Sequence, residues 1–384
     1  MKIVMVSNYF NHHQKPLSDA FYARIGDDYT FIETTTMSAE RLALGWGMNE
    51  KPSYVKQAYT DDEAKKACQR LLDEADVVIY GSAPYELIEP RLKVGKLTFR
   101  YSERIYKDGI PYLKLWRHYI IHRKKFGRYK NCYLLAASAY APVDYARLGT
   151  FKGKAYKWGY FTAVKAYDDV DKLIDTKKPA SILWGGRLIG LKHPETAIEV
   201  AKHLKRDGYS FTLNMIGTGE MEEDIKAQIA SYGLDDCVHM LGSMTPDRVR
   251  TYMEESEIFL FTSDKGEGWG AVLNESMNSA CAVVASHAIG SVPFLAEDGK
   301  NALIYKSEDV DDLCAKVKLL LDDKETRRSI SKEAYLTMKN EWCPANAARK
   351  LIENVTRLLA GEKAAFSESG VCSPAEILRD DWKK

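Results

Sequence analysis

The sequence predicts an α/β protein built from two doubly wound, Rossmann-like domains in tandem, facing a central cleft. Three observations predict this. Short, continuous apolar runs alternate from end to end with stretches of helical spacing, which is the pattern of parallel strands covered on both faces. The alternation falls into two series, separated by the polar, proline-containing stretch "DTKKPA" (175–180), which reads as a linker. The length of 384 residues also exceeds what one ordinary core organises.

The first series opens with "KIVMVSN" (2–8), followed by a helix expected from about Gln14 to Arg24. Further strands are expected at "YTFIET", "DVVIYGS", "LTFRYS" and "NCYLLAAS". Between them lie helical stretches such as "DDEAKKACQRLLDEA" (61–75), where Ala64, Cys68, Leu71 and Leu72 follow helical spacing. The second series runs "SILWGG", "FTLNMIG", "VHMLGS", "EIFLFTS", "CAVVAS" and "NALIY", with a helix between most pairs. We expect domains over 1–165 and 178–357. The helical tail that starts at "PANAARKLIENVTRLLAGEKAAF" contributes no strand, and a C-terminal helix over about 358–384 is expected to pack back onto the first domain.

Composition narrows the class. The 55 Lys and Arg against 54 Asp and Glu argue against a general nucleic-acid binder. Seven scattered cysteines with no Cys-x-x-Cys pair favour reduced thiols, give no zinc signature and suggest a cytoplasmic protein. The N-terminal stretch lacks the apolar length of a signal peptide, and no apolar run is long enough for a membrane span.

The chemistry is expected where strands end. "LWGGRLIGLK" (183–192) closes a strand with Gly185 and Gly186, then presents Arg187 and Lys192. Either these two cations are solvated on a surface loop, or they meet a diphosphate, Arg as a bidentate fork and Lys as a point charge. "MIGTGEMEEDI" (215–225) is another strand–glycine–helix transition, through Gly217, and by itself is a weak signal. "GEGWGAVLNESM" (266–277) leads a glycine-rich loop into a helix and carries Glu267 and Glu275. These are either ordinary surface carboxylates or acceptors of hydrogen bonds from sugar hydroxyls, one on a ribose and one on a hexose. In the second case the free N–H groups around Gly268, Trp269, Gly270, Ala271 and Val272 face the phosphates between the two sugars.

Together "GGRLIGLK", "GTGEMEEDIKAQI", "VHMLGSMTPDRV" and "GEGWGAVLNESMNSACAVVAS" resemble, in order and spacing, the retaining GT-B glycosyltransferases of the large family four (glycosyl transferases group 1). The resemblance covers most of 180–360. Glu267 and Glu275 match that family's E-x7-E pair, and Arg187 and Lys192 match its arginine and lysine. It implies a GT-B fold and transfer of a sugar from a nucleotide diphosphate sugar, most often a UDP-sugar. Anomeric configuration is retained and no metal or other cofactor is required. It also implies that Glu267 and the backbone of Gly268–Gly270 meet the donor sugar, that Glu275 meets the ribose, and that Leu241 and Gly242 lie near the base. Where family members usually carry Gly and Pro, this chain has Ala280 and Ala282, and Phe294 stands in place of a glutamate.

The first domain is expected to bind the acceptor, a glycan or a lipid-linked sugar of the kind used in bacterial surface polysaccharide assembly. His12 and His13 follow the first strand, and are either solvated or available to phosphate or a proton. Glu103, at the end of "LTFRYS", is either a ligand or base for the acceptor hydroxyl, counted here with the catalytic set, or the partner of neighbouring Arg104. Arg104 and Gly159, in "KWGYF", complete the acceptor-side set. Residues 100–130 carry ten cations against Glu103 and Asp108, interleaved with Trp116, Tyr119 and Ile120. Such a segment suits either the inner face of an anionic membrane or a helix with its apolar side in the core. Two rivals keep the fold: a nucleotide-sugar epimerase, and a catalytically silent partner subunit binding glycan or protein.

Overall fold

A computed structural model describes residues 1–39, 47–48, 50–362 and 367–383. The chain divides into two compact units. The first holds Met1–Ala163 and Trp342–Arg379, the second Val164–Glu341 and Asp380–Lys384.

In the first unit seven described strands form one parallel sheet: β1 Ile3–Ser7, β2 Tyr29–Glu33, β3 Val55–Gln57, β4 Val77–Tyr80, β5 Leu97–Ser102, β6 Cys132–Ala136 and β7 Ala155–Lys157. Their order is β3-β2-β1-β4-β5-β6-β7, so the winding reverses beside β1. Every residue of β1, β2 and β4 is buried, because helices cover both faces and no polar face is needed. The helix Asp62–Glu74 starts where the Asp61 carboxylate accepts the Ala64 N–H at 2.7 Å. β3 and β7 escaped the sequence reading because three residues at a sheet edge carry no periodic signal. "KWGYF", which holds the Gly159 of the acceptor-side set, contains the last residue of β7, and Trp158 beside it is fully buried.

The second unit repeats the plan with β8 Lys178–Gly185, β9 Thr212–Ile216, β10 Val238–Met240, β11 Ser256–Phe261, β12 Ala282–Ser286 and β13 Leu303–Tyr305, in the order β10-β9-β8-β11-β12-β13. All its neighbouring strands are parallel. The helix Pro194–Arg206 turns Ala197, Ile198, Ala201 and Leu204 onto the sheet, the apolar stripe of an amphipathic helix. The stretch 175–180 is not a linker. The helix Val170–Asp175 ends there and β8 begins at Lys178. Lys177 between them is buried, its Nζ donating to the carbonyls of Met253, Glu254 and Ser279.

The terminal helix is Pro344–Leu359, not 358–384, and it packs against the helix Lys15–Ile25 of the first unit. Of the expected stretch, 363–366 and 384 lie outside the described residues, and the described remainder past Leu359 is irregular. There the chain runs along the outer edge of β7. The Cys372 N–H donates to the Lys157 carbonyl at 2.9 Å and the Ala375 N–H to Ala155 at 2.8 Å, covering an edge that would otherwise offer open backbone groups.

Candidate active site

In the second sheet β8 lies between β9 and β11, so the winding reverses there and the loops after β8 and β11 flank the reversal. Open parallel sheets bind ligands at this place, beyond the carboxyl ends of the strands. Gly186, Arg187 and Lys192 stand on the first loop; Glu267 and the glycines stand on the second.

Backbone bonds tie the β8, β9 and β10 loops together. Gly186 donates to Ile216 at 3.0 Å, Leu188 to Thr218 at 2.9 Å, Gly217 to Gly242 at 2.8 Å and Leu241 to Met215 at 2.8 Å. Gly217 makes the approach possible: its φ is +139°, and a Cβ there would fall 1.7 Å from the Gly186 carbonyl oxygen. The β11 loop joins the same assembly. Thr262 Oγ1 accepts from Trp184 Nε1 at 2.9 Å and donates to the Lys192 carbonyl at 2.7 Å, and the Asp264 N–H donates to Leu191 at 3.0 Å.

Lys192 forms an ion pair with Glu267. Both side chains are largely covered, 16% and 15% exposed, and Ser263 Oγ donates to the same carboxylate at 3.3 Å. The sequence reading divided the labour, with cations to the diphosphate and carboxylates to hydroxyls; the two groups in fact balance each other's charge in one place. Arg187 is exposed, and its side chain bonds nothing among the described residues.

The loop enters the helix Val272–Asn278 through Gly270, whose φ is +81° and whose Cβ would lie 2.3 Å from Phe261 Cζ. Glu275 is the fourth residue of that helix and so stands in its first turn. Leu273 and Met277 are fully buried, whereas Glu275 is half-buried. Its carboxylate accepts no hydrogen bond among the described residues. Burial raises its pKa, and the Arg250 charge opposes the rise. Arg250 itself is held by the Glu275 carbonyl at 3.1 Å, Asn278 Oδ1 at 3.1 Å and Ser279 Oγ at 3.0 Å. The N–H groups of Gly268, Gly270 and Ala271 also find no acceptor among the described residues. Trp269 is fully buried, with Nε1 donating to Asn274 Oδ1 at 2.9 Å, so its ring fixes the loop from below. Ala280, where the family resemblance led us to expect glycine, takes a φ of +53° that glycine adopts without strain.

The sequence reading missed His193. Left-handed at φ +49°, it brings Nδ1 to Glu195 at 2.7 Å and Nε2 to Asp264 at 3.2 Å, clamping the β8 loop to the β11 loop. The Glu195 bond, then the Asp264 bond, raise its pKa to about 9 against the opposing effect of burial. The only signal was its place between Lys192 and Pro194, at the entry to a helix.

In the first unit His12 and His13 follow β1 at the winding reversal, with ring centroids 3.9 Å apart. Burial lowers the pKa of both; burial and then the His12 charge take His13 to about 3, so both imidazoles are neutral near pH 7. His13 stacks on Tyr160, their centroids 6.4 Å apart, and the Tyr160 hydroxyl donates to Glu103. Glu103 pairs with Lys107, not with Arg104. Arg104, expected in the acceptor-side set, is 5% exposed, lies 5.0 Å over the Tyr140 ring and faces Asp144 at 3.6 Å. It compensates a buried carboxylate that also accepts the Ile105 and Tyr106 N–H groups. The Gly159 carbonyl accepts from the Tyr101 hydroxyl at 3.1 Å. Tyr160 was missed because nothing in "KWGYF" marks it as a partner of Glu103.

Two tandem doubly wound sheets, with basic, acidic and glycine-rich loops meeting at the reversal of the second, define the GT-B class of α/β proteins. Residues 168–337 match the family model described as "Glycosyl transferases group 1". Among curated proteins the chain is 30% identical over 186 residues to the amylovoran biosynthesis glycosyltransferase AmsK of Erwinia amylovora, covering 47% of this chain and 46% of that protein. It is 28% identical over 144 residues to the putative colanic acid biosynthesis glycosyltransferase WcaL of Salmonella typhimurium, covering 36% and 35%. The matches thus span less than half the length of these relatives. Among solved structures, Anabaena HepE in complex with UDP superposes with a TM-score of 0.68 at 13% identity, over 93% of this chain and all of that one. Sucrose-phosphate synthase of Thermosynechococcus elongatus gives 0.66 at 14% identity, over 94% and 100%. These likenesses establish the fold.

Proposed function

We propose that the protein is a retaining, metal-independent glycosyltransferase that moves a sugar from a nucleotide diphosphate sugar, a UDP-sugar by preference, to a hydroxyl of a glycan or lipid-linked acceptor. The observation that carries the reading is Glu275: a half-buried carboxylate with no bonding partner among the described residues, one helical turn from a loop whose N–H groups are free. Desolvating a carboxylate without compensation is costly, and ribose hydroxyls supply the compensation.

In this reading Arg187 and Lys192 take the diphosphate and stabilise the charge that builds on it as the glycosidic bond breaks. Lys192 turns from Glu267 toward phosphate, and Glu267 is released to the hydroxyls of the donor sugar. The acceptor hydroxyl attacks from the face the diphosphate leaves, so configuration is retained. Glu103, oriented by Tyr160 and Lys107, receives the acceptor on the first unit. The names of AmsK and WcaL support polysaccharide assembly as the setting, and the HepE complex supports a uridine nucleotide.

The test is calorimetric titration of nucleoside diphosphates, followed by product analysis with a labelled donor. Binding of one nucleotide, lost in Glu275→Ala, together with label in an acceptor-linked product, is expected. Label recovered only in an isomerised donor would make the protein an epimerase, and no nucleotide binding at all would make it a silent partner.

A further inference from the structure

The helix Leu115–His122 has no buried residue. Its outward face continues from the preceding turn, with Leu113 93% exposed, Trp116 67% and Ile120 43%. The opposite face is anchored. His118 stacks on Tyr106, His122 meets the Tyr145 ring edge-on, and Phe126 is buried. Tyr119 closes over Gly149, where a Cβ would lie 2.6 Å from its ring. The apolar residues are therefore held outward by a fixed support.

The charges around this face share one property. Among the described residues no carboxylate lies within 4 Å of Lys114, Arg117, Arg123, Lys124 or Arg128. Lysines on other exposed helices do have such partners: Lys66 with Glu63, Lys93 with Glu89, Lys226 with Glu222. The whole chain is nearly neutral at +1, whereas residues 100–130 carry ten cations against two carboxylates, so the basic excess of this segment is local.

We propose that this face docks on an anionic lipid surface. Leu113, Trp116 and Ile120 enter the boundary between headgroups and acyl chains, and the flanking Arg and Lys meet lipid phosphates. A nucleic acid would answer the cations but leave three large apolar side chains in water. A lipid interface accommodates both, and indole prefers that depth. No helix among the described residues is long and apolar enough to cross a membrane, so the contact is peripheral. The inference stands apart from the donor site, and its failure would leave the transferase reading untouched.

The test is co-sedimentation of the full chain with vesicles of phosphatidylcholine alone or mixed with phosphatidylglycerol, alongside sedimentation equilibrium without lipid. Binding to the mixed vesicles only, weakened by salt, is expected. Arg117→Gln and Lys124→Gln should each lower the affinity about fivefold. Trp116→Ser should lower it further while nucleotide binding stays unchanged. Equal binding to neutral vesicles, binding unaffected by all three substitutions, or no binding would overturn the proposal. So would a dimer that dissociates in Trp116→Ser, which would make a second copy the occupant.

Discussion

Replacing Glu275 by glutamine should move stability and ligand affinity in opposite directions. In the folded protein the carboxylate is half-buried, unbonded among the described residues, and faces only the partial compensation of Arg250. Leaving such a group unsatisfied costs about 1–3 kcal/mol, and an amide of the same shape is cheaper to bury. Taking about 1 kcal/mol as the relief, the melting temperature of the second unit should rise by about 2–4 °C. The sign of the pH dependence follows from the raised pKa. Between the ordinary glutamate value of 4.5 and the higher folded value the native state binds more protons than the unfolded one, so stability falls as pH rises through that window. Glu275→Gln should flatten this fall. Hydrogen bonds to a charged acceptor contribute about 1.5–3 kcal/mol, so nucleotide affinity should drop at least about tenfold. Differential scanning calorimetry across pH, paired with titration of UDP, measures both. A lower melting temperature with unchanged affinity would refute the reasoning, because the carboxylate would then have a structural partner and no ligand.

Other consequences can be measured in parallel. Arg187→Ala should leave stability within about 0.5 kcal/mol, since the side chain is exposed, yet lower turnover about 100–1000-fold. Lys192→Ala should lose turnover on the same scale and also destabilise by about 1–3 kcal/mol, because Glu267 is left covered and unpaired; denaturant titration reads the difference between the two variants. His193, raised to about 9, contributes stability that is complete below the ordinary histidine value of 6.5 and is lost as pH rises through 9. His193→Gln should abolish that slope in pH-dependent melting. Gly217→Ala should cost about 4 kcal/mol or more, since the added Cβ meets the Gly186 carbonyl in a backbone that has little room to shift; the urea midpoint of the second unit is the readout.

The two sheets were legible because their central strands are continuous apolar runs that need no partner to be recognised. Short edge strands such as β3 and β7 were not, since what makes them strands is the neighbour they pair with. In the donor-side loops the sequence offered Arg187, Lys192, Glu267 and Glu275 as charged residues at strand ends. It could not reveal that Lys192 and Glu267 pair, or that His193 bridges Glu195 and Asp264, because those contacts join loops about seventy residues apart. The surroundings of Arg104 were equally hidden. An arginine beside a glutamate reads as that glutamate's partner until the fold brings Asp144, forty positions on, against it. The basic stretch left two readings open, and the structure places Leu113 and Trp116 outside the core.

The path of the chain also constrains the order of its maturation. The second unit is nearly continuous in sequence, whereas the first waits for Trp342–Arg379 to supply the Pro344–Leu359 helix and the cover for β7. During synthesis the half translated earlier must therefore persist with an unclad helix surface and a bare strand until residues 342–379 have left the ribosome. A nascent chain held where residues up to Glu341 have just cleared the exit tunnel should present a protease-resistant second unit beside a chaperone-seeking first one.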